Sequence, residues 1–331
     1  MTYFAPLFSN SHIRSPFPNT ARLVKHLALC VIAGFALSPA QSQIFVADYY
    51  HNRVSEYTLS GAPVNPSLIT GFRNLMGVAL DGHGYLYTAD EYAGTIGKYT
   101  TAGATVNASF ITGLSSPRDV TFDGSGHMFV ASAGGTISEY STSGTLLNPA
   151  FITGLGYLPP DSMSLDGNGH LFVLFGLGIG NVGEWTTSGA VVNQTLISGL
   201  RYPGGIEVDS EGHLFVGNYG DGVVAEYTTT GALVNPTLMS GLGGAWGLTL
   251  DGPQDLLVIS AGATKISQYN LNSGMLNGSF ITMGSGAYDL AVQVPEPSSA
   301  TLLVLAAALI LRGAKPRRYP KFACPQNPKS V

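Results

Sequence analysis

The stretch Phe45–Gly61, FVADYYHNRVSEYTLSG, returns five more times along the chain. The copies read YTADEYAGTIGKYTTAG, FVASAGGTISEYSTSG, FVLFGLGIGNVGEWTTSG, FVGNYGDGVVAEYTTTG and LVISAGATKISQYNLNSG. Their lead residues, Phe45, Tyr87, Phe129, Phe172, Phe215 and Leu257, are spaced by 42, 42, 43, 43 and 42. A fixed period in the low forties means that one supersecondary unit is repeated and buried against its own copies. No other feature of the sequence restricts the fold as tightly.

Each unit contains four strand-like runs between turn residues. In the second set these are Gly77–Leu80 (A), Tyr85–Ala89 (B), Thr95–Thr100 (C) and Ser109–Thr112 (D). The A–B turns are Asp81-Gly-His-Gly84, Asp123-Gly-Ser-Gly126, Asp166-Gly-Asn-Gly169 and Asp209-Ser-Glu-Gly212. There glycine supplies positive φ and aspartate accepts local backbone bonds. An asparagine precedes each D run (Asn65, Asn107, Asn148, Asn193, Asn235, Asn277), as a cap on the bend into D. Along C, one face carries Tyr57, Tyr99, Tyr140, Trp185, Tyr227 and Tyr269, each two residues after a Ser, Gly or Ala. The other face carries Val54, Ile96, Ile137, Val182, Val224 and Ile266. Both faces of each sheet are therefore covered, which places every four-stranded unit between two similar ones.

Units stacked radially make an all-β, six-bladed β-propeller. The repeat region enters at a B strand (Ile44) and leaves at an A strand (Tyr288–Gln293). The closing blade therefore joins a C-terminal A strand to N-terminal B, C and D strands and leaves no open edge. An abundance of 43 glycines with only 11% charged residues suits a chain of turns and buried strands. Between Gln43 and Gln293 there are six Lys/Arg and nineteen Asp/Glu, a net charge near −13. Such a body repels phosphate backbones, so nucleic acid is excluded as a partner. The two cysteines, Cys30 and Cys324, lie outside the repeats, and no disulfide staples them.

Val46-Ala-Asp48 followed by Asn52-Arg-Val-Ser-Glu-Tyr57 resembles an NHL-type repeat. The repeat region as a whole is similar to the six-bladed propellers of the NHL and gluconolactonase/streptogramin-lyase-like group. The first copy alone has the full Asp…Asn-Arg pattern; the Asp48 position becomes Asp90, Ser132, Phe175, Asn218 and Ser260. The absence of a Trp-Asp dipeptide speaks against a WD40 propeller.

Both flanks differ from this body. Residues 1–40 hold an N-terminal extension, then Arg22, Lys25 and His26, the apolar run Leu27–Leu37 and Ser38-Pro39-Ala40. A basic segment, an apolar core and a small-residue cut after Ala40 describe a secretory signal peptide. Residues 43–293 are the propeller. Residues 294–331 begin with Pro295-Glu296-Pro297, continue through the apolar run Leu302–Leu311 and end in a tail opened by Arg312, Lys315, Arg317 and Arg318. The order resembles the PEP-CTERM sorting signal of exosortase-processed bacterial proteins, although thirteen residues follow Arg318. The resemblance implies the secretion machinery and exosortase as partners. It also implies a short transmembrane helix passing transiently through the inner membrane, then release to the cell surface or extracellular matrix of an exopolysaccharide-making bacterium.

Candidate sites are few. His83, His127, His170 and His213 recur one per unit on the A–B rim, so they cannot converge on one metal ion. No G-x-S-x-G nucleophile elbow occurs. On the A strands, which line the central channel, one position reads Gly77, Asp119, Ser162, Gly205, Gly247 and Asp289. Two residues on it reads Ala79, Thr121, Ser164, Glu207, Thr249 and Ala291. Asp119, Glu207 and Asp289 break the run of small residues on alternate units. Three carboxylates about one axis repel one another unless protons or a cation intervene, so either Ca²⁺ or Mg²⁺ is held there, or the carboxylates are solvated or cap a loop. The opposite rim collects Tyr49, Tyr50, Tyr92, Tyr157, Tyr202, Tyr219 and Trp246, either to stack sugars or hold a protein, or to fill gaps between blades. The near-uniform units favour a non-catalytic binding or scaffold protein, since catalysis needs blades that differ. A metal-dependent lactonase- or streptogramin-lyase-like enzyme is the alternative.

Overall fold

The computed structural model describes residues 42–155, 159–176, 178–260, 262, 264–284 and 286–293. The first three strands are β1 (Gln43–Asp48), β2 (Arg53–Thr58) and β3 (Pro63–Thr70). Blade 2 is β4 (Leu75–Leu80), β5 (Tyr85–Asp90), β6 (Thr95–Thr100) and β7 (Thr105–Ile111). Blade 3 is β8 (Pro117–Phe122), β9 (His127–Ser132), β10 (Thr136–Ser141) and β11 (Leu146–Ile152). Blade 4 is β12 (Pro160–Leu165), β13 (His170–Phe175), β14 (Ile179–Thr186) and β15 (Val191–Arg201). Blade 5 is β16 (Pro203–Val208), β17 (His213–Asn218), β18 (Val223–Thr228) and β19 (Leu233–Met239). Blade 6 is β20 (Ala245–Asp251), β21 (Asp255–Ser260), β22 (Lys265–Asn270) and β23 (Leu276–Thr282). Finally β24 (Ala287–Gln293) returns to pair antiparallel with β1, Leu290 opposite Val46, and completes blade 1.

The six innermost strands, β4, β8, β12, β16, β20 and β24, each lie against the next in a closed ring. The second strand of every blade is buried on both faces, which is why its sequence runs apolar rather than alternating. Between blades lie the cores. In one of them Phe129 and Phe151 pack at 4.8 Å beside Trp185, which meets Phe175 at 6.3 Å.

Two sequence expectations receive different physical reasons. Where the residue two before the strand-C aromatic is glycine, the aromatic itself excludes a side chain. A Cβ on Gly97 would sit 2.7 Å from the Tyr99 ring, and one on Gly183 would sit 2.5 Å from the Trp185 ring. Where serine stands there, its hydroxyl bonds the outer strand: Ser55 to the Pro66 carbonyl and Ser138 to that of Pro149, both at 2.9 Å. The second concerns the asparagines, which lie inside the D strands rather than before them. Each accepts the N–H of the residue two positions on, as Asn107 does from Ser109 at 3.1 Å, and the register slips beside it. They hold a bulge in an edge strand, and a bulge keeps that edge from pairing with another chain.

The A–B turns are as expected. Asp81, Asp123, Asp166 and Asp209 each present one carboxylate oxygen to two backbone N–H groups of the turn, at 2.7–3.1 Å. The apolar segments Leu27–Leu37 and Leu302–Leu311, with Pro295, Glu296 and Pro297, lie outside the described residues.

Candidate functional site

The three channel carboxylates face the axis and tie neighbouring blades together. Asp119 accepts the Met163 N–H of the next innermost strand at 2.7 Å, and Asp289 accepts the Val78 N–H at 2.9 Å. Glu207 accepts the Leu250 N–H at 3.4 Å and the Ser164 hydroxyl at 3.3 Å. Ser162 and Ser164 make the same link, accepting the Ile206 and Val208 N–H groups at 3.3 and 3.1 Å. Where the position is glycine, the next strand is too close for any side chain. A Cβ would lie 2.5 Å from the Arg118 carbonyl at Gly77, 2.6 Å from that of Trp246 at Gly205 and 2.8 Å from that of Tyr288 at Gly247.

Burial raises all three carboxylates. Glu207 and Asp289 are pushed up to about 7, and Asp119 well above its ordinary value, with Asp289 adding repulsion. Each of the three side chains nevertheless keeps part of its surface exposed. Among the described residues no three His, Cys, Asp or Glu side chains converge closely enough to hold a metal ion. Ca²⁺ takes six to eight oxygens and Mg²⁺ a strict octahedron. Carboxylates occupied by backbone N–H groups of three different blades do not fit that demand as a prepared donor set.

One residue earlier on the same strands is the mouth of the channel. Around the ring it reads Met76, Arg118, Asp161, Gly204, Trp246 and Tyr288, no two alike. Arg118 is the centre of this layer. Its guanidinium bonds Asp161 and reaches Glu91 at 3.4 Å, while Glu91 takes a further bond from the Asn74 amide. Burial opposes the charge on Arg118, but Asp161 and Glu91 more than offset it and hold the guanidinium charged. For Asp161 burial wins, and its carboxyl sits above the ordinary range in spite of the arginine beside it. Arg118 Nε is buried with no acceptor among the described residues. Between Arg118, Asp161, Ser162, Tyr288 and Asp289 lies a space of about 10 Å³, the size of one water.

Aromatic rings continue from this mouth across the rim. Tyr288 lies 5.3 Å from Trp246 and 6.0 Å from Tyr49; Trp246 stacks at 4.6 Å on Tyr219, and Tyr49 meets Tyr50 edge-on at 5.3 Å. Tyr219 and Trp246, expected on this rim, are thus brought together with Tyr49 and Tyr50. Tyr92 and Tyr202 make no ring contact among the described residues and are 70% and 58% exposed. Tyr157 lies outside the described residues. Beyond the ring series, His51 and Arg53 both contact the buried Asp48, at 2.8 and 3.0 Å, so the first unit's Asp…Asn-Arg pattern organises a loop. The A–B histidines serve their turns on the far rim: His127 and His213 bond Asp123 and Asp209, at 2.6 and 2.8 Å.

Arg118, Glu91, Asp161 and Tyr288 were not singled out from the sequence. The signal was present, in a repeat column where every unit differs. It also answers the argument from uniform units: the blades are alike in their cores and unlike at the mouth.

No protein-family model matches the chain, and no curated protein matches it. Solved structures do. A chain of the nidogen/laminin complex superposes with a TM-score of 0.64 at 14% identity, covering 76% of this chain and 98% of that one. Virginiamycin B lyase from Staphylococcus aureus superposes with a TM-score of 0.55 at 18% identity, covering 71% of this chain and 79% of the lyase. At these identities the likeness is one of fold alone.

Proposed function

We propose that the chain is an exported bacterial propeller that binds polysaccharide at its channel mouth without transforming it, carried to the surface or matrix by an N-terminal signal and a PEP-CTERM-like tail that exosortase processes. The observation that carries the reading is the row of rings Tyr219, Trp246, Tyr288 and Tyr49 beside the Arg118–Asp161–Glu91 cluster. Ring faces stack on the apolar faces of sugars, and the charged groups offer fixed donors and acceptors to hydroxyls. The space at the channel mouth, about 10 Å³, takes no sugar, so a ligand lies across the mouth rather than in it.

A lactonase- or lyase-like activity is the second reading. Two observations favour it: the blades differ at the mouth, and Glu207 and Asp289 sit near 7, where a general base works best. Their bonds to backbone N–H groups count against it. Affinity electrophoresis of the full chain through gels containing bacterial exopolysaccharide tests the first reading. Retardation that Trp246→Ala abolishes supports it. Unchanged mobility of the wild-type protein across neutral and acidic polysaccharides rejects it, and lactone-opening and lyase assays then decide the second.

A further inference from the structure

A separate pocket lies on the A–B rim, at the opposite end of the strands from the mouth. It has a volume of about 380 Å³ between blades 2 and 3, and its lining includes Asp81, His83, Lys98, Phe122 and Thr142. Lys98 is the exception of its repeat column, which elsewhere reads Glu56, Glu139, Glu184, Glu226 and Gln268. Four of those five have a polar neighbour. Gln43 donates to Glu56, His170 bonds Glu184 at 2.6 Å, and His127 and His213 approach Glu139 and Glu226 to 4.0 Å. In blade 2 both members of the pair have changed, histidine to Tyr85 and glutamate to Lys98. The Lys98 ammonium now lies 4.1, 5.1 and 5.4 Å from the ring centroids of Tyr85, Tyr87 and Phe110. It has no carboxylate partner and no hydrogen-bond acceptor among the described residues. A cation so placed, in a body of net charge near −13, is a local inversion of sign.

We propose that this pocket binds an acidic sugar, a uronic acid unit of a polysaccharide. The sugar carboxylate pairs with the Lys98 ammonium, which the three rings hold by their negative faces. His83 donates Nδ1–H to the Asp81 carbonyl at 2.7 Å, which leaves Nε2 as the ring nitrogen free to bond a sugar hydroxyl. Thr142 supplies a second hydroxyl partner, and the Phe122 ring receives the sugar's C–H face. Asp81 is the one opposing charge in the lining. Its Oδ1 is engaged by the His83 and Tyr85 N–H groups at 2.8 and 3.1 Å, and its Oδ2 faces the Tyr87 hydroxyl at 3.4 Å. One ammonium beside one engaged carboxylate suits a singly charged sugar acid and disfavours phosphate, which calls for several donors. The volume suits one or two sugar units. This site uses no residue of the mouth and does not depend on it.

Isothermal titration of the full chain with trigalacturonate at low ionic strength tests the proposal, because exposed charge is screened by salt. Neutral galactotriose and triglutamate are the comparison ligands. Lys98→Gln is a mild variant, since blade 6 carries Gln268 at the same position. Lys265→Gln controls for general charge. The expected result is binding of trigalacturonate by the wild-type protein and Lys265→Gln, at least about tenfold weaker in Lys98→Gln and for galactotriose. Three results each overturn it: no heat of binding at about 10 mM ligand, equal affinity in Lys98→Gln, or triglutamate binding as well as the sugar acid. Retardation in polysaccharide gels reads the mouth independently, so failure here leaves that reading standing.

Discussion

Glu207→Gln separates the two accounts of the channel carboxylates. Folding raises Glu207 from 4.5 to about 7, chiefly because burial disfavours its charged form. An acid raised in the native state is favoured by folding while it is protonated. Its contribution is therefore fully present below about pH 4.5 and is lost as pH climbs through about 7. At 1.36 kcal/mol per pH unit the rise corresponds to about 3 kcal/mol; because Glu207 is partly exposed, solvent screening lowers this to about 1–2 kcal/mol. Glutamine keeps the acceptor for the Leu250 N–H and removes the charge. The variant should match the wild type at about pH 4 and exceed it at about pH 8 by about 2–8 °C in calorimetric midpoint. Parallel curves, or a variant less stable at the higher pH, refute the assignment of a buried carboxylate without a counter-charge. A wild-type midpoint that rises with Ca²⁺ or Mg²⁺ and falls with EDTA, in a manner lost in the variant, replaces it with a bound cation.

Gly205→Ala should destabilise by about 2–3 kcal/mol in urea unfolding, because its Cβ would meet the Trp246 carbonyl at 2.6 Å and backbone cannot yield cheaply. Wild-type stability there would mean that the blades are not in contact at the axis. Asp123→Ala removes an acceptor of two N–H groups and the partner of His127, at a cost of about 1–2 kcal/mol. Hydrogen bonds outweigh burial to lower Asp123, while its bond to Asp123 raises His127. The aspartate's contribution fades as pH falls through its lowered native value, and the histidine's as pH rises through its raised one. The loss in Asp123→Ala should accordingly be largest in mildly acidic buffer and smaller at either extreme, read from midpoints across pH. Deleting 287–293 exposes the inner edge of β1 and should replace one cooperative transition with aggregation, visible by light scattering.

Much of the architecture was legible in the chain because a repeat states its own boundaries. The spacing of Phe45, Tyr87 and their counterparts counted the blades, and the B-first, A-last order of Ile44 and Tyr288 told how the ring closes. Local chemistry was legible where one residue type does one job at every copy, as Asp81, Asp123, Asp166 and Asp209 do in their turns. It was misread where two explanations share a pattern. Gly97 beside Tyr99 reads as room for a neighbouring sheet, and only the ring's direction shows that the strand's own aromatic fills the space. Asn107 before an apolar run reads as a cap, whereas the outer strand begins at Thr105 and bulges around it.

The mouth was harder to see for a reason that bears on function. Periodicity draws the eye to columns that agree, and those columns build the core. Met76, Arg118, Asp161, Gly204, Trp246 and Tyr288 occupy a column with nothing in common, at the end of a strand. Closure of the ring then sets these six side chains around one axis, on strands more than forty residues apart, and gives an otherwise repetitive molecule one asymmetric surface. The same logic picked out Lys98, the single basic residue in a column of Glu and Gln. In a ring of near-identical blades, a ligand can tell one blade from another only where the columns disagree. The search for what this protein binds therefore belongs at Arg118 with Trp246 and Tyr288 on one rim, and at Lys98 on the other.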